Sequence, residues 1–414
     1  MQVNEKRLAR QMQILRKWSA VSCRGTLEAC TGFGKTYTAI MAIQALNKQQ
    51  PGQSTLIIVP TVHLKTQWKK QVQDLENVSV VVINTAVKHE HDVNLLILDE
   101  IHNYASAIFG TVFEKVKYRK VLGLTATITR QDGNDYLIRQ KAPIFDKVTL
   151  KEAMAAGYVS QFRVMNVPVF LTDDDKRLYK DLSQKFTYYF SKFGHDFGQA
   201  MNCLKSEQAC ENFARRTTAT ADEVRIWAIN FNRNLAARKK MLYNNQAKLT
   251  AATRLLQELD LKTITFSESV DFANALTTSN PATSMAYSSR LGKKKRREVL
   301  EHFTNKSIRV INTAKALDEG FDVPGVELAI ISSGSSSPRQ DVQRTGRAIR
   351  FVEGKVGYII NLYMPDTQDE KWLRARQKKS INVEWKQSIE DVLYEISGIQ
   401  AETDDSLDIG NLFT

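Results

Sequence analysis

The run Ala29-Cys30-Thr31-Gly32-Phe33-Gly34-Lys35-Thr36 decides how the rest of this chain is read. It follows a short segment, Arg24–Glu28, and opens onto the helical pattern TYTAIMAIQAL. Glycines at 32 and 34 let successive backbone N–H groups wrap an anion at the start of a helix, where the helix dipole also favours negative charge. Such a stretch is a P-loop with Ala29 in place of the customary first glycine. Its spacing assigns Thr31, Gly32, Phe33 and Gly34 to a phosphate cradle, Lys35 to the β- and γ-phosphates and Thr36 to Mg²⁺, so the cofactors expected are ATP and magnesium. A chance glycine-rich turn is the bland alternative. The position of the GKT triplet between a strand and a helix argues against it.

Outward from the loop, short apolar runs alternate with helical patterns. Ser54–Val59, Val78–Ile83, Leu95–Leu98 and Val121–Leu124 are unbroken Val/Ile/Leu-rich runs, the signature of strands buried on both faces of a parallel sheet. The signature returns at Thr263–Phe266, Ile308–Ile311, Leu328–Ile331 and Val356–Ile360. The fold expected is therefore α/β, with one parallel-sheet lobe over 1–160 and a second over 251–400. Residues 161–250 read as a helical insertion or linker: Thr172 precedes three acids, Asp173, Asp174 and Asp175, as at a capped helix start, and Leu178, Leu182 and Phe186 recur at helical spacing. An acidic tail, 401–414, ends the chain.

Bulk properties narrow the partner. Lys and Arg number 58 against 45 Asp and Glu, a formal charge of +13 that suits a polyanion. The four cysteines, Cys23, Cys30, Cys203 and Cys210, form no CxxC pair, which disfavours a zinc or iron–sulfur site and suits free thiols in a reducing compartment. The start, MQVNEKRLARQ, has no apolar core of a signal peptide, and no run reaches the roughly 18–20 apolar residues of a membrane span. A soluble cytoplasmic protein is expected, in a host's cytoplasm if the chain is phage-encoded.

A second motif supplies the chemistry. Leu95-Leu96-Ile97-Leu98-Asp99-Glu100-Ile101-His102 is an apolar strand ending in two acids. Open α/β sheets place ligands beyond the carboxyl ends of their strands. Asp99 then suits metal binding through water, and Glu100 suits orientation and deprotonation of an attacking water.

Together these residues resemble superfamily 2 helicases of the DExH type, over about Arg10 to Arg376. Val59-Pro60-Thr61 with Leu64 and Gln67-Trp68, then Asn84-Thr85-Ala86 and Leu124-Thr125-Ala126-Thr127, stand where that family carries its ordered motifs. Thr129-Arg130-Gln131-Asp132-Gly133 is similar to the XPB and UvsW branch, except that Ile128 replaces the usual proline. In the second half, Phe266-Ser267, the Tyr287-Ser288-Ser289 segment (lacking the usual histidine), Asn312 to Pro324 and Gln343-Arg344-Thr345-Gly346-Arg347-Ala348-Ile349-Arg350 continue the series.

The resemblance implies two tandem RecA-like lobes. It gives Gln343, Arg347 and Arg350 catalytic contacts to the γ-phosphate from the second lobe, and Gly320 and Asp322 contacts to the nucleotide. It makes His102, Thr125, Ala126 and Thr127 coupling residues, with Asp322 beside them. Arg10 followed by Gln13 fits the spacing of an adenine-reading element, with Gln11 as the second choice. Pro60, Thr61, Thr85, Ser267 and Thr313 match positions that grip the phosphates of a nucleic-acid strand.

The activity implied is ATP-driven unwinding or branch migration of forked or junction DNA in repair, recombination or replication. The compact chain resembles the phage branch-migration type and is expected to act as a monomer. An RNA helicase and the motor subunit of a restriction system remain as alternatives. A dead scaffold is disfavoured by intact Lys35, Asp99, Glu100 and Arg347.

Basic clusters at Arg290–Arg297 and along the insertion add candidate grip, and a solvated helix face explains the first equally well. Tyr188, Tyr189, Phe190, Phe193 and Phe197 among basic residues suit either base stacking or simple helical packing. The insertion as a whole is expected to engage duplex or junction. The tail is a candidate docking peptide for a protein partner.

Overall fold

The computed structural model describes residues 5–128, 135–159, 161–288, 290–314, 325–333, 356–377 and 383–405. Two parallel sheets organise them. The first holds β1 (Arg24–Ala29), β2 (Thr55–Val59), β3 (Val78–Val82), β4 (His91–Asp99), β5 (Val116–Thr125) and β6 (Ile144–Val148), in the order β3-β2-β4-β5-β1-β6. Every residue of β2 is buried, as its TLIIV sequence requires, and the last five residues of β4 are buried too. β1 lies between β5 and β6, with Glu28 level with Thr125, while Asp99 is level with Leu124. The carboxyl ends of three neighbouring strands therefore converge where the P-loop leaves β1. The edge strand β6, IFDKV, escaped the sequence reading because it carries charges amid its apolar residues, as an exposed sheet edge does.

The second sheet holds β7 (Phe162–Pro168), β8 (Thr263–Ser267), β9 (Ser284–Ser288), β10 (Val310–Ala314), β11 (Leu328–Ile331), β12 (Gly357–Tyr363) and β13 (Val383–Trp385), in the order β13-β7-β12-β11-β8-β10-β9. β7 corrects the expected boundary. It pairs along its whole length with β12, from Phe162 beside Gly357 to Pro168 beside Tyr363. The second lobe thus begins before the insertion. The strand was hidden because fully buried Asn166 interrupts its apolar residues. At the other boundary, the helix Gln246–Glu258 also belongs to the second lobe, burying Ala251, Ala252, Leu255 and Leu256 in its core.

The insertion proper is four helices, Asp173–Ser191, Phe197–Lys205, Glu207–Ala214 and Ala221–Tyr243. Thr172 caps the first by accepting from the Asp175 N–H. Thr220 and Glu223 form a reciprocal capping box on the last. Phe231 is the centre of a separate small core, with Phe186 and Phe190 each 5.2 Å away between ring centres and Phe193, Cys203 and Cys210 buried around it. Leu171, Leu242 and Met364 pack the base of this unit onto the second lobe. No described helix is long and apolar enough to cross a membrane.

Candidate nucleotide site

Beyond β1 the chain turns through Gly32 (φ 85°) and Gly34 (φ 94°), both left-handed, into the helix Lys35–Gln49. Gly34 is required on two counts. A Cβ there would meet Gln11 Nε2 at 2.7 Å. Gln11, on the helix Glu5–Ala20, donates through that nitrogen to the carbonyls of Phe33 (3.1 Å) and Gly34 (3.3 Å). In a trans peptide the C=O and the following N–H point opposite ways. Holding these two carbonyls toward Gln11 turns the N–H groups of Gly34 and Lys35 away from it, the orientation a phosphate cradle needs. The Phe33 side chain is fully buried edge-on to Tyr158, so it anchors the loop rather than touching a ligand. Lys35 Nζ lies 2.9 Å from the Ala29 carbonyl, and Thr31 and Thr36 are half-buried beside it.

Across the cleft end of the sheet, Asp99 is buried at the tip of β4. Its Oδ2 accepts from Trp68 Nε1 at 2.8 Å and its Oδ1 from the Glu100 N–H at 3.0 Å. Burial pushes the Asp99 carboxyl up, opposed by the Trp68 indole, the charge of Lys35 and the Glu100 N–H. Glu100 itself sits at φ 48°, ψ 53°. A left-handed non-glycine backbone costs about 1–3 kcal/mol. It turns the chain sharply into the 3₁₀ turn Ile101–Ala105, which brings His102 back toward the acid.

His102 is buried, with Nδ1 2.9 Å from Thr125 Oγ1 and 3.4 Å from Glu100 Oε2. The Thr125 hydroxyl donates to the Thr127 carbonyl at 2.8 Å, so its lone pairs accept, from the Thr127 N–H and from His102. That bonding puts a proton on Nδ1. A continuous path thus joins Glu100, His102, Thr125 and Thr127, with half-buried Ala126 inside the turn. Just beyond, the Ile128 N–H donates to buried Glu28 at 3.2 Å, and Lys147 Nζ binds the same carboxylate at 2.6 Å. A proline at 128 has no N–H to give, so the departure from the family pattern creates a bond here.

Two expectations change. Arg10 does not face the loop: its guanidinium pairs with buried Asp146 at 2.6 Å, keeping that carboxyl below its usual range despite burial. Gln13 is exposed and reaches only Arg10, at 3.5 Å. Helix periodicity explains it, since Gln11, Ile14 and Trp18 share the buried face and Gln13 does not. Gln11 is the glutamine at the site.

The strand-gripping candidates also divide. Pro60 and Thr61 are half-buried at the end of β2, with Thr61 capping the helix Val62–Gln71, and Thr85 is exposed. Ser267 and Thr313 are buried, and their hydroxyls donate to backbone carbonyls, Ser267 to Ser269 at 2.7 Å and Thr313 to Thr265 at 2.8 Å. Those side chains fasten the sheet, with their hydroxyl protons given to backbone carbonyls. Gly320, Asp322, Gln343, Arg347 and Arg350, the Thr129–Gly133 segment and the end of the tail lie outside the described residues. Trp68 and Glu28 were given no role from sequence. A buried indole needs an acceptor, which was the available signal for Trp68.

Two parallel-sheet lobes, the first with a P-loop facing a strand-end Asp-Glu pair, define the class as a RecA-like nucleotide-driven motor. Residues 6–94 match the family described as type III restriction enzyme, res subunit, and residues 247–352 match the helicase conserved C-terminal domain.

The chain is 27% identical to the DNA 3'-5' translocase XPB2 of Sulfurisphaera tokodaii, over 86% of its own length and 81% of that protein. It is 25% identical to the putative DNA 3'-5' helicase Rad25 of Haloarcula marismortui, covering 84% of this chain and 51% of that one. With the XPB helicase/translocase subunit of general transcription and DNA repair factor IIH from Drosophila melanogaster the identity is 24%, over 71% of this chain and 32% of that protein. The chain thus spans only about half or a third of the latter two.

The Pyrococcus furiosus Hef helicase domain superposes with a TM-score of 0.59 at 16% identity, covering 88% of this chain and 96% of that domain. Dbp5 of S. cerevisiae bound to RNA and ADP BeF3 gives 0.57 at 15%, covering 92% and 89%. These matches support a superfamily 2 helicase similar to the XPB branch.

Proposed function

We infer that this chain is an ATP-dependent DNA helicase or translocase that acts as a monomer on forked or branched DNA in repair or recombination, moving 3' to 5'. The observation that carries the motor reading is the run of polar contacts from Glu100 to His102 (3.4 Å) and on through hydrogen bonds to Thr125 and Thr127. It links the proposed base of ATP hydrolysis to the segment that leaves β5. The relatives named as DNA 3'-5' translocase or helicase support DNA and the direction.

In the proposed reaction Glu100 takes a proton from the water that attacks the γ-phosphorus, the bond to the bridging oxygen breaks, and ADP and phosphate leave. Lys35 and the loop N–H groups hold the phosphates. Arg347 and Arg350 are the proposed cationic partners from the second lobe.

Magnesium fits the donor set present. Thr36 offers a hydroxyl and Asp99 a carboxylate whose burial disfavours its bare charge, and such hard oxygen donors suit this cation beside phosphates. When bound, it supplies charge neutralisation on the phosphates.

The test is ATPase stimulation and strand displacement on single-stranded, duplex, forked and four-way DNA and on RNA, with Lys35→Ala as the inactive control. Stimulation and remodelling by forked or four-way DNA is expected. Stimulation by RNA alone, or by plain duplex without unwinding, would replace this reading with an RNA helicase or a restriction translocase.

A further inference from the structure

The insertion sorts its aromatic residues into two groups. Phe186, Phe190 and Phe193 surround Phe231 and fill the small core. Tyr188 takes no part in that core. It stands 57% exposed on the outer edge of the helix Asp173–Ser191, touching Tyr189 edge-on at 5.1 Å. One turn further on, Lys192 Nζ lies 4.8 Å from the Tyr188 ring centre and 5.4 Å from that of Trp227 on the helix Ala221–Tyr243. Two helices thus each bring a ring within cation–π reach of one ammonium group. Arg225 and Arg233 are exposed on the helix that carries Trp227.

A large ring left in water beside fixed positive charge has the two features that bind single strands: a π-face for a base and cations for the adjoining phosphates. The neutral face and the charge serve different parts of one nucleotide. The cation also polarises the rings that it contacts. We propose that Tyr188, Lys192 and Trp227 form a stacking site for an unpaired base of a DNA strand, with Lys192 on the adjoining phosphate. This rests on the DNA reading above and gives the insertion a defined ligand, a separated strand held outside the lobes.

The test is binding of a fluorescein-labelled oligo(dT) to the full-length chain, followed by anisotropy without nucleotide across a salt series. Tyr188→Ala is expected to weaken binding by about 5- to 150-fold, the range for loss of one stacked base. Tyr188→Phe should bind within about twofold of the parent. Tyr188→Leu restores apolar volume without a stacking ring and should resemble the alanine variant. Lys192→Gln should lower the slope of log K against log salt by about 0.7, one phosphate's share on a single strand.

Unchanged binding by the alanine and leucine variants, with normal thermal unfolding, overturns the proposal. So does a Tyr188→Phe loss equal to alanine's, which would assign the effect to the hydroxyl. DNA-stimulated ATPase of the parent chain reports the motor reading separately, so either can fail without the other.

Discussion

Among the described residues, the two lobes share one kind of parallel sheet and use its strand ends in opposite ways. In the first lobe the ends of β4 and β5 carry Asp99, Glu100 and Thr125, joined through Trp68 and His102 into a cluster facing the P-loop. In the second lobe polar residues at comparable places turn inward and bind one another. Thr265 donates to Asn312 at 2.9 Å, Asn312 to Thr277 at 2.9 Å, and Ser267 and Thr313 to backbone carbonyls. Lys248, fully buried, spans from the Ser332 carbonyl just after β11 (2.7 Å) to Asp369 (2.5 Å). A strand-end polar residue thus serves ligand chemistry when its partners leave an open side. It serves as a fastening when its proton is given to a partner inside. The family motif marks the position alone.

The contrast is broken most forcefully at Glu100. Glu100→Gln keeps the shape and removes the base, so kcat for ATP hydrolysis should fall by about 10²- to 10⁴-fold while ATP still binds. A kcat within threefold of the parent would remove Glu100 from its proposed role.

The next effect is one of stability and belongs to the second lobe. Lys248→Met leaves Asp369 buried without its cation and should cost about 3–5 kcal/mol, read as a lower unfolding midpoint for that lobe. Adding Asp369→Leu should recover most of the loss, because an apolar pair needs no charge compensation. Equal midpoints for the parent and the single variant would show that the pair is not the fastening described.

The smallest effect sharpens the site itself. Gln11→Ala leaves the Phe33 carbonyl without its donor, while the Gly34 carbonyl keeps Thr38, and should raise KM for ATP by about 5- to 150-fold, corresponding to about 1–3 kcal/mol for a buried group left unpaired. Gln13→Ala should leave KM where it is. The reverse ranking would return the role to Gln13.

Much of this was legible in the residues. Val/Ile/Leu runs mark strands buried on both faces, and β2, β3, β8 and β11 fall within a residue or two of their apolar stretches. The P-loop was readable because glycine adopts the left-handed backbone at 32 and 34 without steric cost. What escaped depended on partners distant in the chain. β7 is an ordinary-looking segment until β12, nearly two hundred residues later, pairs with it. Spacing from Arg10 favoured Gln13 over Gln11, and a helix start does not reveal which side meets the loop.

The sequence by itself determined the class of motor, the phosphate loop, the acid pair and the existence of two lobes, because each rests on local chemistry: backbone freedom, strand periodicity, charge at a strand's end. The tertiary structure alone decided that Gln11 rather than Gln13 orients the loop, that Trp68 and His102 brace the acids, and that Ser267 and Thr313 are fastenings. It alone separated Tyr188 from the phenylalanines around Phe231. Those distinctions turn on which face of an element is covered and by whom, and burial and hydrogen-bond satisfaction arise only when segments far apart in the chain are packed together.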